Sequence, residues 1–170
     1  MNLTIRKAQK TDAEGIIKHI KVIAGETNHH TLVPEEFNPA VEDEAKVIND
    51  LNESENSLIL LVDIENEIVG ILTLVGGNRS RTKHCASLGI SIQQKHCGMG
   101  IGHQLIDHMN QWVEKNSPIT KVNFVVHEEN TKAIKFYETL GFKYEGRSPM
   151  YFNDNGDYYD GIFMGKSYIK

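Results

Sequence analysis

Apolar and polar positions alternate over residues 3–8, the period-2 pattern of a short strand, and the chain then turns polar. Thr11-Asp12-Ala13-Glu14 follows with the spacing of a capping box, and Ile16, Ile17, Ile20 and Ile23 give the helix it opens one apolar face. Residues 25–39, with His29, His30 and Pro34, show no period and are expected to form a loop. A charged helix is expected over 41–51, where Val41, Ala45, Ile48 and Leu51 fall at helical spacing. Two apolar runs, 58–62 and 68–75, flank the turn residues Glu65-Asn66 and predict a β-hairpin. Residues 85–92 supply a further strand. It feeds the run Gly98-Met99-Gly100-Ile101-Gly102, after which Ile101, Leu105, Met109 and Trp112 or Val113 line one helical face. A strand over 122–126 and a helix over 131–140 stopped by Gly141 come next. Two strands, 144–152 and 158–164, close the pattern around Asn153-Asp154-Asn155-Gly156.

The 170 residues are expected to form one domain over 1–170, and 39% hydrophobic with 24% charged residues is an ordinary globular balance. No apolar run approaches the roughly 20 residues that cross a bilayer, and the first residues lack a signal peptide's apolar stretch, so a soluble cytoplasmic protein without a membrane partner is expected. Cys85 and Cys97 make neither a disulfide framework nor a metal-ligand pair, and no metal is expected. The net charge of -5 is uneven: residues 1–56 hold 6 Lys/Arg against 11 Asp/Glu, and the remainder holds 12 of each. Residues 68–106 contain no acid, only Arg79, Arg81, Lys83 and Lys95 with the histidines. Such a segment attracts a small polyanion, or else belongs to a buried sheet with little room for charge. The balanced total and the lack of a basic stripe with interleaved aromatics exclude a duplex-binding surface.

Glycines at alternate positions let main-chain N–H groups converge on an anion, and the helix that follows adds its positive N-terminal end. A phosphate-bearing ligand and a bare strand-to-helix turn both fit this feature. Walker loops end in Gly-Lys-Ser/Thr, which is absent here, and a dinucleotide fingerprint needs a glycine three residues after Gly100, where His103 stands.

The run Cys97-Gly98-Met99-Gly100-Ile101-Gly102 resembles the pyrophosphate loop of the GNAT superfamily of acetyl-CoA-dependent N-acetyltransferases. A second segment, Asn130-Thr131-Lys132-Ala133 through Phe136-Tyr137-Glu138-Thr139-Leu140-Gly141-Phe142, resembles the family's asparagine, alanine, tyrosine and Leu-Gly-Phe pattern. The resemblance implies an α/β (α+β) fold, a mixed, mostly antiparallel seven-stranded sheet flanked by about four helices and splayed where acetyl-CoA binds. Implied cofactor contacts are Ile90 and Ile92 on the strand, Cys97, Gly98, Met99, Gly100, Ile101 and Gly102 in the loop, and Asn130. Cys97 departs from the family, whose loop usually begins with Arg or Gln.

By the same resemblance the activity is transfer of acetyl from acetyl-CoA to a primary amine, by direct attack in a ternary complex. Tyr137 is the implied acid for the departing thiolate, because a phenol of pKa ~10 matches a thiol of similar basicity. A core tyrosine is the competing account of the same residue. His84, His127, Glu128, Glu129 and a water chain are all open as the general base. The acceptor is a small-molecule amine or a peptide N-terminus, and the protein a monomer or homodimer. Glu26, Glu35, Glu36, Glu42, Asp43 and Glu44, with Asp154 and Asp157, either rim a pocket for a cationic amine or only solvate a surface. A non-catalytic acyl-CoA-binding or sensing domain of the same fold is the alternative that Cys97 keeps open.

Overall fold

The unbroken apolar run Leu58-Ile59-Leu60-Leu61-Val62 needs cover on both faces, and it has it. In the computed structural model, which describes residues 3–116 and 118–169, Leu58, Leu60 and Val62 pack with Leu105, Ile106 and Met109, while Ile59 and Leu61 pack with Ala13, Ile16 and Ile48. These residues lie on elements that run in chain order β1 (Leu3–Lys7), α1 (Ala13–Glu26), α2 (Val41–Glu53), β2 (Leu58–Ile64), β3 (Glu67–Gly76) and β4 (Cys85–Ile92). Then come α3 (Ile101–Asn116), β5 (Lys121–His127), α4 (Thr131–Thr139), β6 (Lys143–Asp154) and β7 (Asp157–Ser167). The sheet has seven strands in the order β1-β2-β3-β4-β5-β7-β6, antiparallel at every junction except β4–β5. Among the described residues it is the mixed, mostly antiparallel sheet with four α-helices that the family resemblance implied.

Local chemistry sets the junctions. Glu65 and Asn66 turn the β2–β3 hairpin with φ of 52° and 68°, and Asn155-Gly156 turn β6 into β7 in the same left-handed region. Gly141 takes φ 85° just after α4. The start of α1 differs from expectation. Its helix begins at Ala13 after a short 3-10 turn, and the Thr11–Glu14 box does not form. Instead Asp12 accepts from the Gln9 N–H at 2.7 Å and from both terminal nitrogens of Arg6, whose Nε also reaches Asp63 at 2.6 Å. A cation on β1 thus claims the carboxylate that local spacing assigned no partner.

His19 fastens α1 to the middle of the sheet. It is 1% exposed; Nδ1 donates to the Ile68 carbonyl at 3.3 Å and Nε2 accepts from Ser91 Oγ at 2.9 Å. Burial pushes its pKa down to about 4. Below about pH 6.5 the unfolded chain gains a proton here that the folded one refuses, so stability falls as the pH drops from there toward 4. The expected contribution is on the order of 3 kcal/mol at the acid end. Denaturant titrations at pH 7 and pH 4.5 should show a smaller pH loss for His19→Gln than for the parent, and equal losses would contradict this account. Among the described residues no helix is long and apolar enough to cross a membrane.

Candidate active site

Strands β4 and β5 pair only at their beginnings, Cys85 with Lys121, Ala86 with Val122 and Ser87 with Asn123. From Leu88 and Phe124 onward they diverge, and a wedge-shaped gap opens inside the sheet. Its β4 wall can be read from parity. The Cys85 carbonyl accepts from Gly77 N and the Gln93 N–H donates to Val69 O, so odd-numbered residues turn their main-chain groups toward β3. With period 2 and an unbroken β3–β4 register, Ile90 and Ile92 turn theirs into the gap.

The glycine run lies at the open end of the wedge. Gly98 and Gly100 have φ of 82° and 78°, and nothing lies within 4 Å of where a Cβ would stand on either. Their amides therefore border an open cradle that side chains would both strain and fill. Gly102 is needed for a different reason, since a Cβ there would meet Phe136 Cζ of α4 at 2.9 Å. Between them Met99 projects outward and Ile101 is anchored in the core at 1% exposure. The Gly100 carbonyl accepts the first α3 bond, from Gln104 N, so the helix's positive end faces the cradle. These features suit a phosphate-bearing ligand.

Cys97 opens the loop with its thiol turned back on the main chain, 3.8 Å from Ile92 O and 3.7 Å from Gln93 O. Partial burial and the Glu26 carboxylate push its pKa up, which disfavours the thiolate. Nearby Lys95 is paired with Glu67 at 3.2 Å. Arg79, Arg81 and Lys83 lie in the turn before β4, roughly 25 Å from the loop at about 3.3 Å per strand residue. The acid-free stretch is therefore not one basic patch: three of its cations lie in the exposed turn before β4 and the fourth is paired with Glu67. We expect Cys97→Arg to raise CoA affinity severalfold by adding charge-assisted contacts to phosphate, and calorimetry showing weaker binding would contradict the placement of the loop.

Tyr137 is 7% exposed on α4, its ring tilted at 50° with its centroid 4.3 Å from that of Phe124, the first β5 residue beyond the paired segment, and edge-on to Phe136 and Phe142. Burial holds its phenol above the usual pKa, so it stays protonated at neutral pH. Asn130 caps α4, its Oδ1 accepting from Ala133 N at 3.2 Å.

Opposite the loop, His127 ends β5 at 1% exposure. Three rings surround it: His29 from the loop after α1 at 4.8 Å, Phe152 of β6 at 4.9 Å and Tyr159 of β7 at 4.7 Å. Asn28 Nδ2 donates to Asp154 at 3.1 Å and ties that loop to the β6–β7 hairpin. Of the sequence-derived acids, Asp154 thus reaches this pocket, whereas Glu42, Asp43 and Glu44 occupy the first turn of α2, where carboxylates offset the helix dipole. Donor atoms of His29, His127 and Glu129 lie within 4.8 Å of one another, a spacing a metal could use. The tautomer of His127 opposes that use. Its Nδ1 accepts the Glu129 N–H at 3.2 Å, so in the neutral ring the proton sits on Nε2 and no lone pair remains to coordinate. Sequence reasoning named His127 only as one possible base among several. Its burial depends on the loop and hairpin that fold over it, which no local pattern reveals.

A family model described as an acetyltransferase (GNAT) domain matches residues 5–163. The L-amino acid N-acetyltransferase AaaT of Escherichia coli K12 is 29% identical over 107 residues, covering 63% of this chain and 66% of that protein, just under two thirds of its length. A GNAT-family acetyltransferase from Streptococcus pneumoniae superposes with a TM-score of 0.94 at 24% identity, over 98% of this chain and 99% of that one. The phosphinothricin acetyltransferase of Sinorhizobium meliloti, solved with acetyl-CoA, gives a TM-score of 0.82 at 17% identity over 98% and 89%. Both structural likenesses are of fold.

Proposed function

Because this chain belongs to the GNAT acetyltransferase family, we propose that it acetylates a primary amine by direct attack in a ternary complex. The observation that carries the reading is the gap between β4 and β5, which opens beside the cradle at Gly98 and Gly100 and against Tyr137. Acetyl-CoA supplies the acetyl group as a thioester, and the acceptor supplies the attacking amine. The amides of the 97–102 loop hold the pyrophosphate, Ile90 and Ile92 pair with the pantetheine arm as an added strand would, and Asn130 borders it. Tyr137 Oη holds the proton that the departing thiol requires.

The carboxylates Glu129 and Asp154 near His127 favour a cationic amine on the acceptor side. The likeness to an L-amino acid N-acetyltransferase of E. coli makes amino acids and their derivatives the first acceptors to test. The decisive experiment measures thiol release from acetyl-CoA across an amine panel. CoA binding without release on any amine would support a non-catalytic acyl-CoA-binding domain instead.

A further inference from the structure

Nε2 of His127 is, among the described residues, a buried side-chain polar atom with no hydrogen-bond partner. Leaving such a group unpaired costs roughly 1–3 kcal/mol, which makes it a place for a partner from outside the chain, and a bound acceptor can supply one. The Glu129 N–H can only donate, which makes Nδ1 of His127 the acceptor and places the neutral ring's proton on Nε2. Nε2 is then a donor, unable to take a proton from the amine. Forming the imidazolium would set Nδ1–H against the Glu129 N–H, and burial and His29 both oppose it. His19 has the reverse arrangement, with a carbonyl at Nδ1 and a free-electron-pair role at Nε2, so the state of His127 is a property of its own surroundings.

Resting on the acetyl-transfer reading, we propose that His127 is a specificity-determining residue whose Nε2–H binds a neutral carbonyl oxygen beside the acceptor's amine, as in an α-amino amide. A free carboxylate suits the place poorly, because Glu128, Glu129 and Asp154 all exert negative charge on His127. Arg147, the cation of that region, is already bound to Glu128 and Asp160. The same carboxylates attract the ammonium end of the acceptor. A neutral carbonyl avoids the repulsion that a carboxylate would meet there, and an amide supplies one beside the amine.

The test uses the full chain with acetyl-CoA and three matched amines: L-leucinamide, L-leucine and 3-methylbutylamine. Leucinamide should exceed both others in kcat/KM by about tenfold, the worth of one neutral hydrogen bond at a buried site. His127→Phe should raise KM for leucinamide by a similar factor while changing 3-methylbutylamine less than twofold, and His127→Gln, which keeps a donor near Nε2, should recover most of the loss. Independently of any substrate, nitrogen-15 NMR of the parent should show the Nε2–H tautomer at neutral pH. An Nδ1–H tautomer, a preference for leucine, or an equal kcat loss on all three amines would overturn the assignment. So would micromolar Zn²⁺ binding that His127→Phe removes. Thiol release on none of the amines would defeat the acetyl-transfer reading itself, which separates the two failures.

Discussion

Gly100→Glu abolishes acetyl-CoA binding. Gly100 sits at φ 78°, where an L-residue is strained by about 1–2 kcal/mol, so the loop would relax away from the geometry that aims its amides. The space above it is open to 4 Å, and the new side chain would stand in the cradle the pyrophosphate needs. Its carboxylate would add like charge there and offset the positive end of α3. The three effects act in one direction, and the expected outcome is no measurable heat on calorimetric titration with CoA. The site is solvent-facing, so thermal unfolding should shift by only a few degrees, which separates lost binding from lost folding. Unchanged affinity would remove the loop from the site.

Tyr137→Phe lowers kcat by about 10²-fold and changes CoA affinity little, as expected when a single proton donor is withdrawn and its ring is kept. The ring makes the contacts to Phe124, Phe136 and Phe142, so packing survives the substitution. Because burial holds the phenol above its usual pKa, the parent's kcat should not fall through loss of this proton between pH 7 and 10. Equal rates in the two proteins would leave Tyr137 as a core residue only.

Where a feature depends on neighbours in sequence, it was legible. Strand β4 runs from Cys85 to Ile92 as its pattern predicts, Glu65-Asn66 turn the hairpin, and the glycine run marks the place where strand gives way to helix. Features made by distant partners were not. Helix α1 opens at Ala13 with Asp12 bound by Arg6, and the six acids singled out between Glu26 and Glu44 divide between the start of a helix, a bond that Glu26 accepts from Gln94 N–H and exposed loop positions. Gly102 was legible as part of a motif, but its reason was not, since the clash that forbids a side chain comes from Phe136 on another helix. The proton on His127 was hidden for the same reason. It follows from one backbone N–H two residues on and from a loop nearly a hundred residues upstream that seals the ring from water.

The divergence of β4 and β5 also means that the sheet carries two raw edges at its centre instead of at its rim. An exposed edge is a template for any extended chain, including a neighbouring copy of the protein, and folds ordinarily blunt it with charge, proline or a covering helix. Here residues 85–94 carry neither a charge nor a proline to blunt the edge at Ile90 and Ile92, so on the proposed function its cover is the pantetheine arm. At a hundredfold excess over its dissociation constant, a ligand of this kind adds about 2.7 kcal/mol to stability. On the proposed function, then, resistance to heat and to self-association should rise with the supply of acyl donor, so that the chain is best protected when it is ready to work.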